Sequence, residues 1–196
     1  HLLLAAYNAL QPGVFALYGW DLVGALPDDR DDVAELISGG ATRWIERGAF
    51  DLMGSNPDAA RSASGLPRAR TLYGPLGAQL EDPDSFASRL ASMLHLREAH
   101  GIATGTLLDV PEPDDAAILV LVNRLAIGAV QLSVFNFSER DVASVVRSAE
   151  LPAGATVVDL GTSEEVATVE ADGEGGSFEV RLRPFGFQAL ILKDVP

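Results

Sequence analysis

The sequence predicts two folds in succession: an α/β segment of the kind found in parallel-sheet proteins, then an all-β domain built as an antiparallel sandwich or barrel. Three observations carry this. Residues 1–18 read as a helix, a turn and one apolar strand, a single αβ step. Beyond Gly101 the apolar residues change from helical spacing to alternation. From there short strands follow one another between turns rich in Gly, Pro and Asp, the pattern of sandwiches and barrels.

Taken in order, His1 to Leu10 form an apolar helix with no initiator Met and no capping residue ahead of it. The chain is therefore expected to be the C-terminal piece of a longer protein. Gln11-Pro12-Gly13 ends the helix. Val14-Phe-Ala-Leu-Tyr18 then reads as a short buried strand whose parallel neighbours are missing. Asp31–Ile37 is a short helix, with acids in its first turn that suit the helix dipole. A long loop from Thr42 to Pro75 follows, too rich in apolar anchors (Trp44, Phe50, Met53, Tyr73) for a disordered linker. Asp82-Pro83 opens the strongest helix, Asp82 as N-cap and Pro83 in the first turn. Phe86, Leu90, Met93, Leu94 and Leu96 form its apolar stripe, and Gly101 stops it.

Strands are then predicted at 105–110, 117–124, 130–136, 142–148, 156–159, 166–170, 178–183 and 188–192. The turns between them include Pro111–Asp115, Pro152–Gly154 and Asp172–Gly176. The domain boundary is set at 101/102, giving an α/β part over 1–101 and a β domain over 102–196.

Composition excludes several functions. The net charge is −14, which argues against a partner that needs cations, nucleic acid above all, and against an anionic membrane. No apolar run reaches the roughly 18–20 residues of a membrane span, and the N-terminus lacks a signal-peptide pattern. There is no cysteine, so thiolate catalysis, disulfides and cysteine metal sites are out; this fits a cytoplasmic protein. The preference for Arg over Lys, with many alanines, suggests a GC-rich bacterial source.

No strong catalytic signature is present: no nucleophile elbow, phosphate loop, dinucleotide fingerprint or zinc-protease helix. His95 and His100 have no acid cluster around them and are read as packing or helix-end residues. The Asp172–Ser177 run is read as a hairpin turn and Pro27–Asp32 as a solvated helix start, so no metal or cofactor is expected. Tyr18-Gly19-Trp20-Asp21 stands apart. It ends the apolar strand and opens into the long loop, the place where parallel-strand barrels put their active sites. Trp20 offers a flat apolar face and Asp21 accepts hydrogen bonds from hydroxyls, a pairing that suits a sugar ring. Strand-end structure accounts equally well for both residues. Thr42–Arg47, with Trp44 and Arg47, and Arg61–Arg70 read either as rims of a polar cleft or as a loop pinned by Arg–Asp pairs.

Gln11-Pro-Gly-Val-Phe-Ala-Leu-Tyr-Gly-Trp-Asp21 resembles the eighth strand of the α-amylase superfamily, glycoside hydrolase family 13. Asp21–Leu26, Thr42–Gly54, Pro67–Arg70, Leu72–Leu76, Asp84–Ser88, Gly101–Gly105 and Val134–Ser138 are similar to the bacterial trehalose synthase branch, also called maltose α-D-glucosyltransferase. The resemblance implies the end of a (β/α)₈ barrel (last strand, loop and helices) followed by the family's β-sandwich, domain C. It implies a retaining mechanism on maltose and trehalose, run by two working carboxylates and a third that stabilises the transition state. In the family these lie on the fourth, fifth and seventh strands. No residue here is assigned to them, and their place would be in the part of the same polypeptide upstream of His1. Tyr18, Trp20, Asp21, Trp44 and Arg47 are the substrate-binding candidates, Asp21 matching the acid after strand eight. The alternatives are another enzyme of the superfamily (amylase, sucrase or maltosyltransferase type) and a free-standing carbohydrate-binding sandwich.

Overall fold

The computed structural model describes residues 1–193. Contacts divide the chain into two compact units: Leu17–Ala91, and His1–Ala16 together with the chain from Ser92 onward. The change of period near residue 101 is thus a boundary of pattern. By contact, the first helix and the end of the long helix belong with the strands.

The larger unit is an antiparallel sandwich of two sheets. Its strands are β1 Thr106–Asp109, β2 Ile118–Arg124, β3 Val130–Asn136, β4 Val142–Ser148, β5 Thr156–Asp159, β6 Glu165–Thr168, β7 Glu170–Asp172, β8 Gly175–Leu182 and β9 Phe187–Lys193. Six form one sheet in the order β1-β2-β3-β9-β5-β6, and three form the other, β4-β8-β7. The run expected as one strand over 166–170 is split. Val169 is buried between β6 and β7, and its backbone bonds Ala155 and Gly154, so the chain passes from one sheet to the other there.

The two sheets differ in patterning because they differ in exposure. β4 and β8 alternate buried and open residues, as expected of a sheet with one wet face. β3 is buried at every position, because the large sheet is covered on both sides. One face (Val120, Val122, Leu132, Val134, Leu190, Leu192) packs on Val146, Phe178 and Val180 of the small sheet. The other (Leu121, Phe135, Ala189, Ile191) packs on Leu3, Ala6 and Ala9 of helix α1, Leu2–Ala9, and on Leu10 that follows it.

The second interface carries polar groups with defined partners. A helix end leaves carbonyls without intrahelical donors, and α1 ends on the sheet. Arg97, itself buried, donates to the carbonyls of Ala9, Gln11 and Gly13. Ser133 donates to Leu10 O. Gln131 Nε2 donates to Ser133 Oγ at 2.9 Å, and Asn123 Nδ2 to Gln131 Oε1 at 2.9 Å. Leu10 O can only accept, so it fixes the direction of the whole chain of bonds.

Two expectations are corrected. Val14–Tyr18 forms no strand and joins no sheet among the described residues, and Val14 is 97% exposed. An apolar run becomes a buried strand only when neighbours pair with it, and none of the described strands does. The long helix, Phe86–Ala99, begins later than Asp82-Pro83. Asp82 instead closes a local turn on Asp84 N at 2.9 Å, and Ser85 Oγ accepts the Ser88 N–H at 3.2 Å as a cap does. A further helix, Leu76–Glu81, stands just before it.

Two predictions follow from these contacts. Ser133→Ala leaves Leu10 O and the Gln131 amide without their partner, so it is expected to destabilise the chain by about 1–3 kcal/mol in chemical denaturation. Asp115 is the second case. The Ala117 N–H and the Arg140 guanidinium hold its carboxyl below the usual carboxylate range. A depressed carboxyl contributes stability above its unfolded value and loses it as pH falls through the folded one. Asp115→Asn is therefore expected to lower the melting temperature at neutral pH and to flatten the acid limb of a melting-temperature profile.

Candidate functional site

The candidate residues all lie in the unit Leu17–Ala91. Tyr18 is the extended residue before a 3₁₀ turn, Gly19–Val23, that carries Trp20 and Asp21. Gly24 ends this turn at φ 59°, a left-handed conformation that favours glycine. A side chain there would also meet the Tyr73 ring at 2.8 Å. The backbone then runs beside residues 70–73: Leu26 N bonds Arg70 O, Leu72 N bonds Gly24 O, and Tyr73 N bonds Val23 O. The long loop is thus cross-braced.

The turn places Tyr18 and Trp20 in a stack, with ring centroids 4.4 Å apart and planes at 25°. Phe50 supports Trp20 from 4.8 Å at a tilt of 57°. Trp20 Nε1 donates to Gly48 O at 3.0 Å. The indole N–H is therefore used internally, and Trp20 is half-buried while Tyr18 is 51% exposed. The exposed aromatic surface of the stack is Tyr18, with Trp20 and Phe50 behind it. Sequence reasoning had given the platform to Trp20.

Asp21 is half-buried on the same turn. Trp44 belongs to a second 3₁₀ turn, Thr42–Glu46, with the Arg47 guanidinium 5.7 Å from its ring centroid, a cation–π distance. The Gly48 carbonyl, next in sequence to Arg47, ties this segment to Trp20. The structure thus brings Tyr18 and Trp20 into contact and connects them through one peptide to the Trp44–Arg47 turn. Of the loop arginines, Arg68 is a pin: it donates to the carbonyls of Asn56, Pro57 and Ala59 at 2.8–3.0 Å. Arg61 donates to Gly65 O at 2.8 Å.

Four supporting residues had no clear sequence signal. Phe50 was seen only as an apolar anchor. Gly48 is needed because a Cβ there would collide with Asp28 Oδ2 and the Ala69 Cβ. Gln79 is buried and fully used: Nε2 donates to Leu22 O and Gly74 O at 2.7 Å, and Oε1 accepts from Ala87 N at 3.1 Å. It thereby fixes the end of the turn that bears Trp20 and Asp21. Asp28 has its Oδ2 sealed from water with no hydrogen-bond partner among the described residues. Burial, and next Asp32, push its carboxyl up, against a smaller downward pull from Arg70. Burial also pushes the Tyr73 phenol up; its ring stacks on Phe86 at 5.1 Å.

Among the described residues no three His, Asp or Glu side chains gather as metal ligands would. No described helix is long and apolar enough to cross a membrane.

Known structures share this fold. Trehalulose synthase MutB from Pseudomonas mesoacidophila MX-45 matches 98% of this chain with 38% of its own, at a TM-score of 0.61 and 18% identity. Isomaltulose synthase PalI from Klebsiella sp. LX3 matches 98% with 38%, at 0.59 and 16%. Trehalose-6-phosphate hydrolase TreA from Bacillus licheniformis matches 98% with 38%, at 0.66 and 15%. The chain thus spans about two fifths of the length of these enzymes. MutB mutants have been solved with glucose and with isomaltulose bound. No protein-family model matches the sequence, and no curated protein matches it.

Replacing Gln79 by Leu keeps the volume but strands two carbonyls and one amide N–H. The expected cost is roughly 2–4 kcal/mol, read as a lower unfolding midpoint.

Proposed function

We propose that this chain is the C-terminal portion of an α-glucoside-active enzyme of the α-amylase superfamily: the end of its catalytic barrel over residues 1–101 and its β-sandwich over 102–196. The observation that carries the reading is the match of 98% of the chain to enzymes that extend well beyond it. In finer detail, we assign the parent to the trehalose synthase branch, a bacterial cytoplasmic enzyme that interconverts maltose and trehalose. The motif resemblances at Thr42–Gly54 and Leu72–Leu76 favour that branch.

In this reading the nucleophile, the acid/base and the stabilising carboxylate come from other parts of the polypeptide. The chain described here supplies one wall of the sugar pocket. Tyr18, backed by Trp20 and Phe50, presents a flat apolar surface to the C–H face of a glucosyl ring. Asp21 accepts hydrogen bonds from ring hydroxyls. Trp44 and Arg47 form a rim, where a guanidinium held over an indole keeps its N–H donors in plane for hydroxyl oxygens. Such contacts orient a glucose released inside a closed site for re-attachment through its anomeric oxygen.

The test is product analysis of the full-length protein on maltose and on sucrose. Trehalose from maltose is expected; isomaltulose or trehalulose from sucrose would move the assignment to the neighbouring synthases, and release of glucose alone to a hydrolase. The 196-residue chain by itself is expected to convert neither sugar. In the full-length protein Tyr18→Ala is expected to lower kcat/KM for maltose about 10- to 100-fold, the loss of one aromatic contact of about 1–3 kcal/mol.

A further inference from the structure

We infer that Asp28 is a positioning residue for the Trp20 ring, acting through the Gly48 peptide that lies between them. The inference rests on the reading of Tyr18 and Trp20 as a sugar-facing wall for its functional meaning, but its physical content stands on the contacts alone.

Gly48 is held from two directions. Its carbonyl accepts the Trp20 indole N–H at 3.0 Å. Its Cα faces Asp28 Oδ2 and the Ala69 methyl so closely that no side chain fits. The segments on either side are fixed by backbone bonds. Asp28 N donates to Ile45 O at 2.7 Å, Ala49 N to Pro67 O at 2.7 Å, and Ala69 N to Ala49 O at 2.6 Å. Little in this arrangement can give except the Asp28 side chain, and a displacement of Gly48 moves the acceptor of the Trp20 bond. Trp20 in turn backs the exposed Tyr18 ring.

Asp28 has two states with different demands. Protonated, its carboxyl is neutral and tolerates a dry site beside Gly48. Ionised, it leaves Oδ2 charged, sealed from water and without a donor among the described residues, which is costly. Asp32 and Asp29, in and just before the 3₁₀ turn Arg30–Val33, oppose that charge, whereas Arg70 attracts it. Arg43, Glu46 and Arg47 flank the Ile45 carbonyl along its turn, and Arg68 precedes Ala69. An ionised Asp28 therefore gains by turning toward Arg70 or solvent, and Gly48 loses the contact that holds it. Trp20 is then less firmly bonded at neutral pH than in mild acid. Burial, with Asp32, pushes the Asp28 carboxyl above the ordinary aspartate value.

The indole Nε1–H resonance of Trp20 reports its bond to Gly48 O directly. In the ¹⁵N-labelled 196-residue chain, two indole signals are expected, assigned by Trp44→Phe. Recorded without sugar, the Trp20 signal should move upfield in a single titration step as pH rises, with a midpoint above the ordinary aspartate value. Asp28→Asn, neutral at every pH, should remove the step and hold the signal at its acid position. Asp32→Asn keeps Asp28 but removes a like charge, and should shift the midpoint to lower pH; it serves also if Asp28→Asn does not fold. A Trp20 signal that does not titrate, a step that survives in Asp28→Asn, or a midpoint that ignores Asp32→Asn overturns the inference. Absence of sugar binding in the full-length protein would instead strike the proposed wall and leave this titration untouched.

Discussion

The carbonyl groups at the end of helix α1 set the terms for the larger unit. Those of Ala9 and Leu10 are buried against the covered face of a β-sheet, so the protein must supply their donors. Arg97 gives its guanidinium to Ala9 and, just past the helix, to Gln11 and Gly13, and Ser133 gives its hydroxyl to Leu10. Each donor constrains what lies around it. Ser133 needs Gln131 as its own donor, Gln131 needs Asn123, and all three sit at fully buried positions of β2 and β3. A neutral, directed chain of bonds in an apolar face tolerates little slippage of register, since a one-residue shift would turn every polar group into the opposite core. The helix and the register of the central strands therefore specify each other.

The unit Leu17–Ala91 is organised on another principle. It has few buried apolar side chains, and backbone capture does much of the work that a core does elsewhere. Gln79 and Arg68 are hubs that collect carbonyls from distant parts of the loop. Gly24 and Gly48 allow the chain to approach rings and carboxylates more closely than any side chain permits. The aromatic stack of Tyr18, Trp20 and Phe50 is tied to this frame by the indole hydrogen bond to Gly48 O.

How much of this was legible in the sequence depends on the range of the interaction. The sandwich was readable because alternation is local: each strand reports its own two faces. The candidate wall was readable because Tyr18, Trp20 and Asp21 are adjacent at the end of an apolar run. Two local signals misled. Val14–Tyr18 has the composition of a strand, but a strand is a relation between segments, and none of the described segments pairs with it. Asp82-Pro83 has the chemistry of a helix start, yet Asp82 satisfies its own turn, and the capping falls to Ser85. Gln79 and Gly48 carry no sequence signal, because their partners stand 57 and 20–28 residues away in the chain.

The sequence by itself determined the all-β character of the second half, the turns between its strands, the exclusion of cysteine chemistry and the cluster of aromatic and acidic residues at 18–21. These follow from composition and short-range periodicity, which steric and hydration preferences impose residue by residue. Only the tertiary structure decided that α1 belongs with the sandwich, that Tyr18 is the more exposed ring of the stack, and that Asp28 stands against Gly48, whose carbonyl accepts the Trp20 indole N–H. Those outcomes depend on which distant groups meet in a space closed to water. There an unpaired carbonyl or carboxylate costs as much as many favourable contacts supply, and that cost is set by neighbours the linear sequence does not reveal.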